Sequence, residues 1–313
     1  LVLSLESFPP IHGTYPAALD WLQEQGGAQW QGDLRYSPAF SEHSFEPGEE
    51  ELREVWPTGA QVCWFGGPAV DVGAWPCAAD GTPLTHVVTM DLAGLDGAID
   101  RAGKMTWPVA QLQEGLPRTG VLQVFHDLRT FGYDPGDRAR GAWAVIVTGD
   151  PAYPRGGQSY DPTGARPALV EPPGPGNTPS QVCQLALPFS SFALPSPLDI
   201  SPQTAGDFDR LEVLIETLRR AWMTQRGIGG DYAIPTTHAY GYSSRGHRAA
   251  TLDVLPEVLP LTAGDEYRLI LEIEGWTVLE GWFGDAGSLE VWMRQSDLDA
   301  GAFENAWCFI RTD

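Results

Sequence analysis

The sequence predicts a β-rich protein with a few packed helices, built from two diverged copies of one unit related by a pseudo-two-fold axis. Three observations carry that prediction. Strand-period runs separated by glycine and proline fill residues 61–148 and return over residues 267–312. The strand strings of these two stretches match in order and approximate spacing. Between them one helix is strongly periodic, with Phe208, Leu211, Leu214, Ile215, Leu218 and Trp222 at spacings of three and four.

Residues 15–25 read as a short helix: Thr14 caps it, Pro16 suits its first turn, Leu19 and Leu22 share a face, and Gly26-Gly27 ends it. The acidic stretch 46–54 follows as a solvated helix or loop, or as an interaction surface, and completes an N-terminal extension over residues 1–60. A first β-rich repeat spans 61–150, with strands over 61–65, 84–90, 120–126 and 142–148. Residues 149–180 contain eight prolines and six glycines, too many for a regular element, so 151–180 is a linker or loop between the repeats. The second repeat covers 181–313. It holds the helix, over 207–223 with Asp207 as cap, and then strands in which Leu269, Leu271 and Ile273 alternate with Ile270, Glu272 and Glu274, followed by strands over 288–294 and 307–311.

The duplication is read from matched strings. Gly120-Val121-Leu122-Gln123-Val124-Phe125 matches Gly287-Ser288-Leu289-Glu290-Val291-Trp292, and Ala142-Trp143-Ala144-Val145-Ile146-Val147 matches Ala306-Trp307-Cys308-Phe309-Ile310-Arg311. Upstream, Val88-Thr89-Met90-Asp91 stands where Leu271-Glu272-Ile273-Glu274 stands in the second copy. Each copy alone would leave one sheet face wet, so the two are expected to share an interior.

Composition bounds the partners. A chain of 313 residues buries roughly three quarters of its unfolded surface, and 42% hydrophobic residues with 12 tryptophans supply a core. The net charge of −22 comes from 41 acidic against 19 basic side chains, of which Lys104 is the only lysine. Such a surface repels phosphate backbones and anionic membranes, so neither a nucleic-acid nor a membrane partner is expected. Beyond solubility, the acidity favours a basic protein partner steered in electrostatically. Cys63, Cys77, Cys183 and Cys308 are widely spaced, without a CxxC pair, and read as small buried residues in a reducing compartment. With no basic n-region at the start and apolar runs of at most about six residues, the expected location is cytoplasmic. Nothing in the sequence predicts an oligomeric state.

At Phe65-Gly66-Gly67-Pro68, Trp75-Pro76, Gly81-Thr82-Pro83-Leu84 and the strand ending Met90-Asp91-Leu92, the chain resembles the YwqG-like family of bacterial proteins. The second half adds Trp282-Phe283-Gly284-Asp285-Ala286-Gly287-Ser288-Leu289 leading into Trp292, Asp297-Leu298, Phe303 and Trp307. The resemblance covers roughly residues 60–313 and implies an α+β fold with a duplicated, mainly antiparallel sheet. It implies no activity and transfers no catalytic residue. Thr89 and Glu272 stand where the family usually has glutamine, which alters any site those amides share. Links of the family to toxin and immunity neighbourhoods imply, by analogy, an inhibitor of a basic toxin.

Motifs for chemistry are sparse. Gly174-Pro175-Gly176 lacks the glycine and helix of a phosphate loop, and no GxxxxGK[ST] is present, so no nucleotide cofactor is expected. The run from Gly241 to Gly246 is one residue too long for a GxSxG elbow, and Ser243 and Ser244 read as a turn. Asp297, Asp299 and Gly301 miss the spacing of a calcium loop, and the six histidines show no paired i, i+4 ligands, so no metal or cofactor is expected. The most site-like cluster is His238, Tyr240, Arg245, His247 and Arg248, which concentrates cations and aromatics in an acidic chain and suits an anion or carboxylate. The competing and favoured account is a loop whose charges simply neutralise nearby acids. Asp91, Glu272 and Glu274, near corresponding strand ends, form a second candidate group, as an acid/base pair or as exposed positions on a half-solvated sheet. Trp276, Trp282, Trp292 and Trp307 crowd the last 40 residues as core or as a binding hot spot. The sequence therefore favours a non-catalytic protein-binding module. Its alternative is an enzyme or small-ligand receptor with a cleft between the repeats, lined by Asp91, Glu272, His238 and Arg245.

Overall fold

The computed structural model describes residues 13–42, 48–97, 101–149, 166–174, 177–200, 205–225, 237–275 and 279–312. The helices are α1 (Tyr15–Glu24), α2 (Glu49–Val55), α3 (Leu92–Gly97), α4 (Arg101–Lys104), α5 (Val109–Leu112), α6 (Ala205–Gln225), α7 (His247–Ala249), α8 (Leu255–Val258) and α9 (Gln295–Asp299). The strands are β1 (Arg35–Tyr36), β2 (Ala39–Glu42), β3 (Cys63–Gly66), β4 (Ala69–Val70), β5 (Thr85–Asp91), β6 (Val121–His126), β7 (Trp143–Thr148), β8 (Leu169–Val170), β9 (Cys183–Phe189), β10 (Phe192–Ala193), β11 (His238–Ala239), β12 (Tyr267–Glu274), β13 (Ser288–Arg294) and β14 (Trp307–Arg311). α1 begins as its sequence dictates, with the Thr14 hydroxyl accepting from the Ala17 N–H and Pro16 in the first turn. α6 starts two residues before Asp207, which sits in the first turn rather than at the cap.

Ten strands form one antiparallel sheet in the order β14-β13-β12-β11-β2-β9-β3-β5-β6-β7. The sheet curls until its two edges nearly meet. Cys63, Met90, Leu122 and Val147 from one end share an apolar cluster with Ile273, Leu289, Val291 and Ile310 from the other. The N-terminal stretch is woven into this body: β2 lies between β11 and β9, and α1 adds Ala18, Trp21 and Leu22 to the same cluster. Among the Pro-rich residues that are described, β8 pairs with β4, while Trp276, His12, His43 and most of 149–180 lie outside the described residues.

The seam is closed by the segment joining β6 to β7. Trp143 packs edge-on against Trp307 at 4.8 Å between centroids and donates its indole N–H to the Ala306 carbonyl at 3.1 Å. Trp307 in turn donates to the Gly132 carbonyl at 2.8 Å, and the Ile310 N–H reaches Phe131 O at 3.0 Å. Arg138 adds hydrogen bonds to the Asn305 and Ala306 carbonyls and lies over the Trp307 ring. Covering the β14 edge with this segment shields strand groups that would otherwise invite aggregation.

Two features differ from the sequence expectation. A bulge between Leu269 and Leu271 breaks the simple alternation of β12, so Leu269 packs with Trp292 and Trp307 while Leu271 faces the main core. In the matched halves, Leu122 pairs with Met90 and Val147, and Leu289 pairs with Ile273 and Ile310. The first two strands thus keep the expected correspondence, but the third is displaced by one residue. Trp143 pairs with His126 whereas Trp307 pairs with Trp292, on the opposite face of the ladder.

Closure makes the seam residues expensive to change. Trp307, 2% exposed, is expected to cost about 3–5 kcal/mol when cut to alanine, measured by urea unfolding. Gly132→Ala is expected to cost about 1–3 kcal/mol, because its φ of +85° is left-handed and a Cβ would stand 2.1 Å from the Cys308 carbonyl oxygen.

Candidate functional site

β12 and β13 place Glu272, Glu274 and Glu290 on the sheet face away from the main core, and all three are buried, at 0%, 4% and 0% exposure. Glu272 and Glu290 are direct cross-strand partners, and His238 of β11 stands opposite Glu272 on its other side. Like charges so placed repel, and each demands hydrogen-bond donors. The segment 242–248 supplies them. The Ser244 N–H donates to Glu272 Oε2 at 2.8 Å, and the Ser244 hydroxyl donates to the other oxygen. The Ser243 hydroxyl donates to Glu290 Oε1 at 2.6 Å, and Trp292 Nε1 donates to Oε2 at 2.8 Å.

Arg311, at the end of β14, pins this segment to the sheet. Its guanidinium donates to the Arg245 carbonyl at 2.6 Å and the Gly246 carbonyl at 3.0 Å, and lies 3.4 Å from Glu290. Burial raises the Glu290 carboxyl to about 7, with nearby Glu272 adding to the rise and Arg311 opposing it. His247 accepts from the Ser243 N–H at 3.4 Å through Nδ1 and packs on Trp292. Burial, reinforced by Arg35, Arg311 and Arg268, lowers it to about 4. His238 Nε2 makes a hydrogen bond to the Tyr242 carbonyl at 2.9 Å and lies 3.8 Å from Glu272.

Thus His238, Arg245, His247 and Glu272 converge around one loop, with the Arg245 side chain donating to the Ala286 carbonyl. The remaining two candidates lie elsewhere. The Tyr240 side chain packs into the main core, where its hydroxyl accepts from the Leu116 N–H at 3.1 Å. Asp91 is five strand spacings from β12, roughly 24 Å along the sheet. There it pairs with Arg166 at 2.8 Å and caps α3 through the Gly94 N–H.

A cavity of about 320 Å³ opens beside this loop, between α6 and β11. Phe192, Ile215 and Leu218 form its apolar side; His238, Ser244 and Arg219 form its polar side. Arg219 is partly buried and makes no hydrogen bond to any described residue. Burial lowers its pKa, against the opposing pull of Glu272 and Glu274. The sequence signal for it was available: position 219 follows Leu211 by eight residues and Ile215 by four, so a cation falls on the apolar stripe.

A second cavity, of about 560 Å³, lies between Gly67, His86, Thr85, Thr178, Cys183 and Trp282. Its polar groups are already committed. His86 Nδ1 lies 2.9 Å from the Gly66 carbonyl and Nε2 lies 2.7 Å from the Thr89 hydroxyl. Burial holds this imidazole neutral, down to about 4, so Nδ1–H donates to the carbonyl, while Nε2 and Gln123 Oε1, 3.1 Å from the Thr89 oxygen, compete for the one Thr89 hydroxyl proton. Glu49 and Glu171 of its lining share Arg53. Among the described residues, no group of three His, Cys, Asp or Glu side chains is placed to hold a metal ion. No helix among them is long and apolar enough to cross a membrane.

The buried titrating groups set a pH response. His86, His126 and His247 are each lowered to about 4, so their contribution is present above their ordinary value near 6.5 and is lost as pH falls through 4. Glu290, raised to about 7, contributes the opposite way: its share is full below 4.5 and is lost as pH rises through 7. Three histidines against one glutamate make the protein less stable at pH 4.5 than at 6.5. Glu290→Gln is expected to steepen that fall. Urea midpoints across this range check both statements, and a flat profile in wild type would contradict them.

The family model described as a domain of unknown function, DUF1963, matches residues 66–311, from the end of β3 to the end of β14. The match is consistent with the resemblance carried by the Phe65-Gly66-Gly67-Pro68 and Trp282-Phe283-Gly284 motifs. No curated protein matches the chain. With 246 of its 313 residues covered (66 through 311), the chain belongs to the DUF1963 family.

Proposed function

We propose that the protein is a non-catalytic receptor for a small molecule, taken up between α6 and the 237–248 segment. The observation that carries this reading is the cavity of about 320 Å³, which joins an apolar wall to a polar one and falls within the range of about 300–1,000 Å³ usual for small ligands. Catalysis is disfavoured by where the hydroxyl protons go. Ser243 is wholly buried and donates to Glu290, Ser244 donates to Glu272, and His247 Nδ1 already accepts a backbone N–H. His238 and Ser244 both line the cavity, but His238 Nε2 is bonded to the Tyr242 carbonyl and the Ser244 hydroxyl donates to Glu272.

The net charge of −22 favours a second reading: a cytoplasmic, YwqG-like bacterial protein that binds a basic protein, in the manner of an immunity-type inhibitor masking a toxin. Exposed Glu50, Glu54 and the Glu49–Arg53 pair make α2 an acidic face suited to that role. The two readings separate by salt, since only surface charge recognition is strongly screened. We further infer that the β5–β7 and β12–β14 meanders are diverged copies, on the shared register of their first two strands.

Thermal-shift screening of a small-metabolite library tests the receptor reading. At least one compound is expected to raise stability, by about 2.7 kcal/mol at a hundredfold excess over its Kd. Ile215→Trp, which fills the cavity, should abolish the gain while leaving the circular dichroism spectrum unchanged. A library without a hit, or hits indifferent to Ile215→Trp, would overturn it.

A further inference from the structure

We infer that the ligand of this cavity is a small monocarboxylate with an apolar body, anchored by Arg219; the inference rests on the receptor reading above. A guanidinium offers five N–H donors in a planar fork, and its natural complement is a two-oxygen anion. The other side-chain donors described in the wall are already engaged. His238 Nε2 is engaged by the Tyr242 carbonyl, the Ser244 N–H and hydroxyl by Glu272, and Glu216 by Arg220. Tyr242 turns its hydroxyl away to the Asp33 carbonyl, and the Ser37 hydroxyl donates to the Ala239 carbonyl. Arg219 alone among these faces the cavity with its donors unspent.

Charge decides between carboxylate and phosphate. The guanidinium stands near Glu272 and Glu274, with Glu212 and Glu216 also on the wall. One positive charge balances one carboxylate. A phosphate dianion would bring a second negative charge into an acidic surround in which, among the described residues, no second guanidinium lines the cavity. Besides Arg219, the cavity is lined by Phe192, Leu194, Ile215 and Leu218, apolar surface that a hydrocarbon or aromatic body would cover. A cavity of about 320 Å³ holds a ligand of metabolite size.

Isothermal titration of phenylacetate and hexanoate, their primary amides, and phenyl phosphate tests the inference on wild type, Arg219→Gln, Arg219→Lys and Ile215→Trp. The acids are expected to bind wild type at least tenfold more tightly than their amides and than phenyl phosphate. Arg219→Gln should lose that preference, Arg219→Lys should restore part of it, and Ile215→Trp should lose acids and amides alike. Equal binding of acid and amide, or acid binding unchanged in Arg219→Gln, would overturn the anchor while leaving the receptor reading intact. Failure of both acids on wild type while other library compounds bind the cavity would overturn the carboxylate assignment. Tighter binding of phenyl phosphate would reassign Arg219 to a phosphate ligand. Melting curves of each variant, expected within a few degrees of wild type, separate lost binding from lost folding.

Discussion

Burying two glutamates side by side on neighbouring strands imposes the constraint from which the site follows. Glu272 and Glu290 face each other across β12 and β13 with no exposure to water. Their carboxyl oxygens must be met by donors, because an unmet buried charge costs several kcal/mol. The chain meets them with one short loop, whose Ser243 and Ser244 each serve one glutamate. Arg311 then holds the loop backbone from the last strand. Because the loop is held there, His238 and Ser244 stand where α6 leaves a gap, and the cavity has a polar wall. The raised Glu290 carboxyl is a product of the same arrangement, with burial outweighing the three donors around it.

Sheet closure supplies the other half of the account. β14 carries Arg311 and Trp307, and it is held on its outer side by Trp143, Arg138 and the carbonyls of Phe131 and Gly132. The network around Glu290 is therefore anchored on a strand that is no longer a free edge. Tyr133, stacked on Phe309, comes from the same seam segment and lies close enough to Arg311 and Glu290 to feel their charges. Stability of the seam and geometry of the cavity loop are coupled through one strand.

What was legible in the sequence follows from physical range. α1, α6, β5–β7 and β12–β14 are periodic within themselves, so local pattern identifies them. β9 is not: Pro188 sits inside it, and its place between β2 and β3 depends on partners more than a hundred residues away. β2 and β11 are too short to show a period. The slip in the third matched strand was also invisible, because a tryptophan heads both strings, Trp143 and Trp307, yet faces opposite sides. In the site, the 238–248 cluster stood out as cations in an acidic chain. Its pairing with Glu272 depends on β11 joining β12. Asp91 looked equivalent to Glu274, but its partner Arg166 comes from the Pro-rich segment, which no local pattern could place. Arg311 and Glu290 read as ordinary strand residues, and only the register reveals that they bracket the loop.

Amide hydrogen exchange on Arg311→Met compared with wild type measures the central claim most directly. If the sheet carboxylates and Arg311 together hold the 242–247 loop, its amides, Ser244 above all, will exchange at least tenfold faster in the variant while β5 and β6 stay protected. Unchanged protection of that loop would show that something other than this ion network shapes the cavity wall.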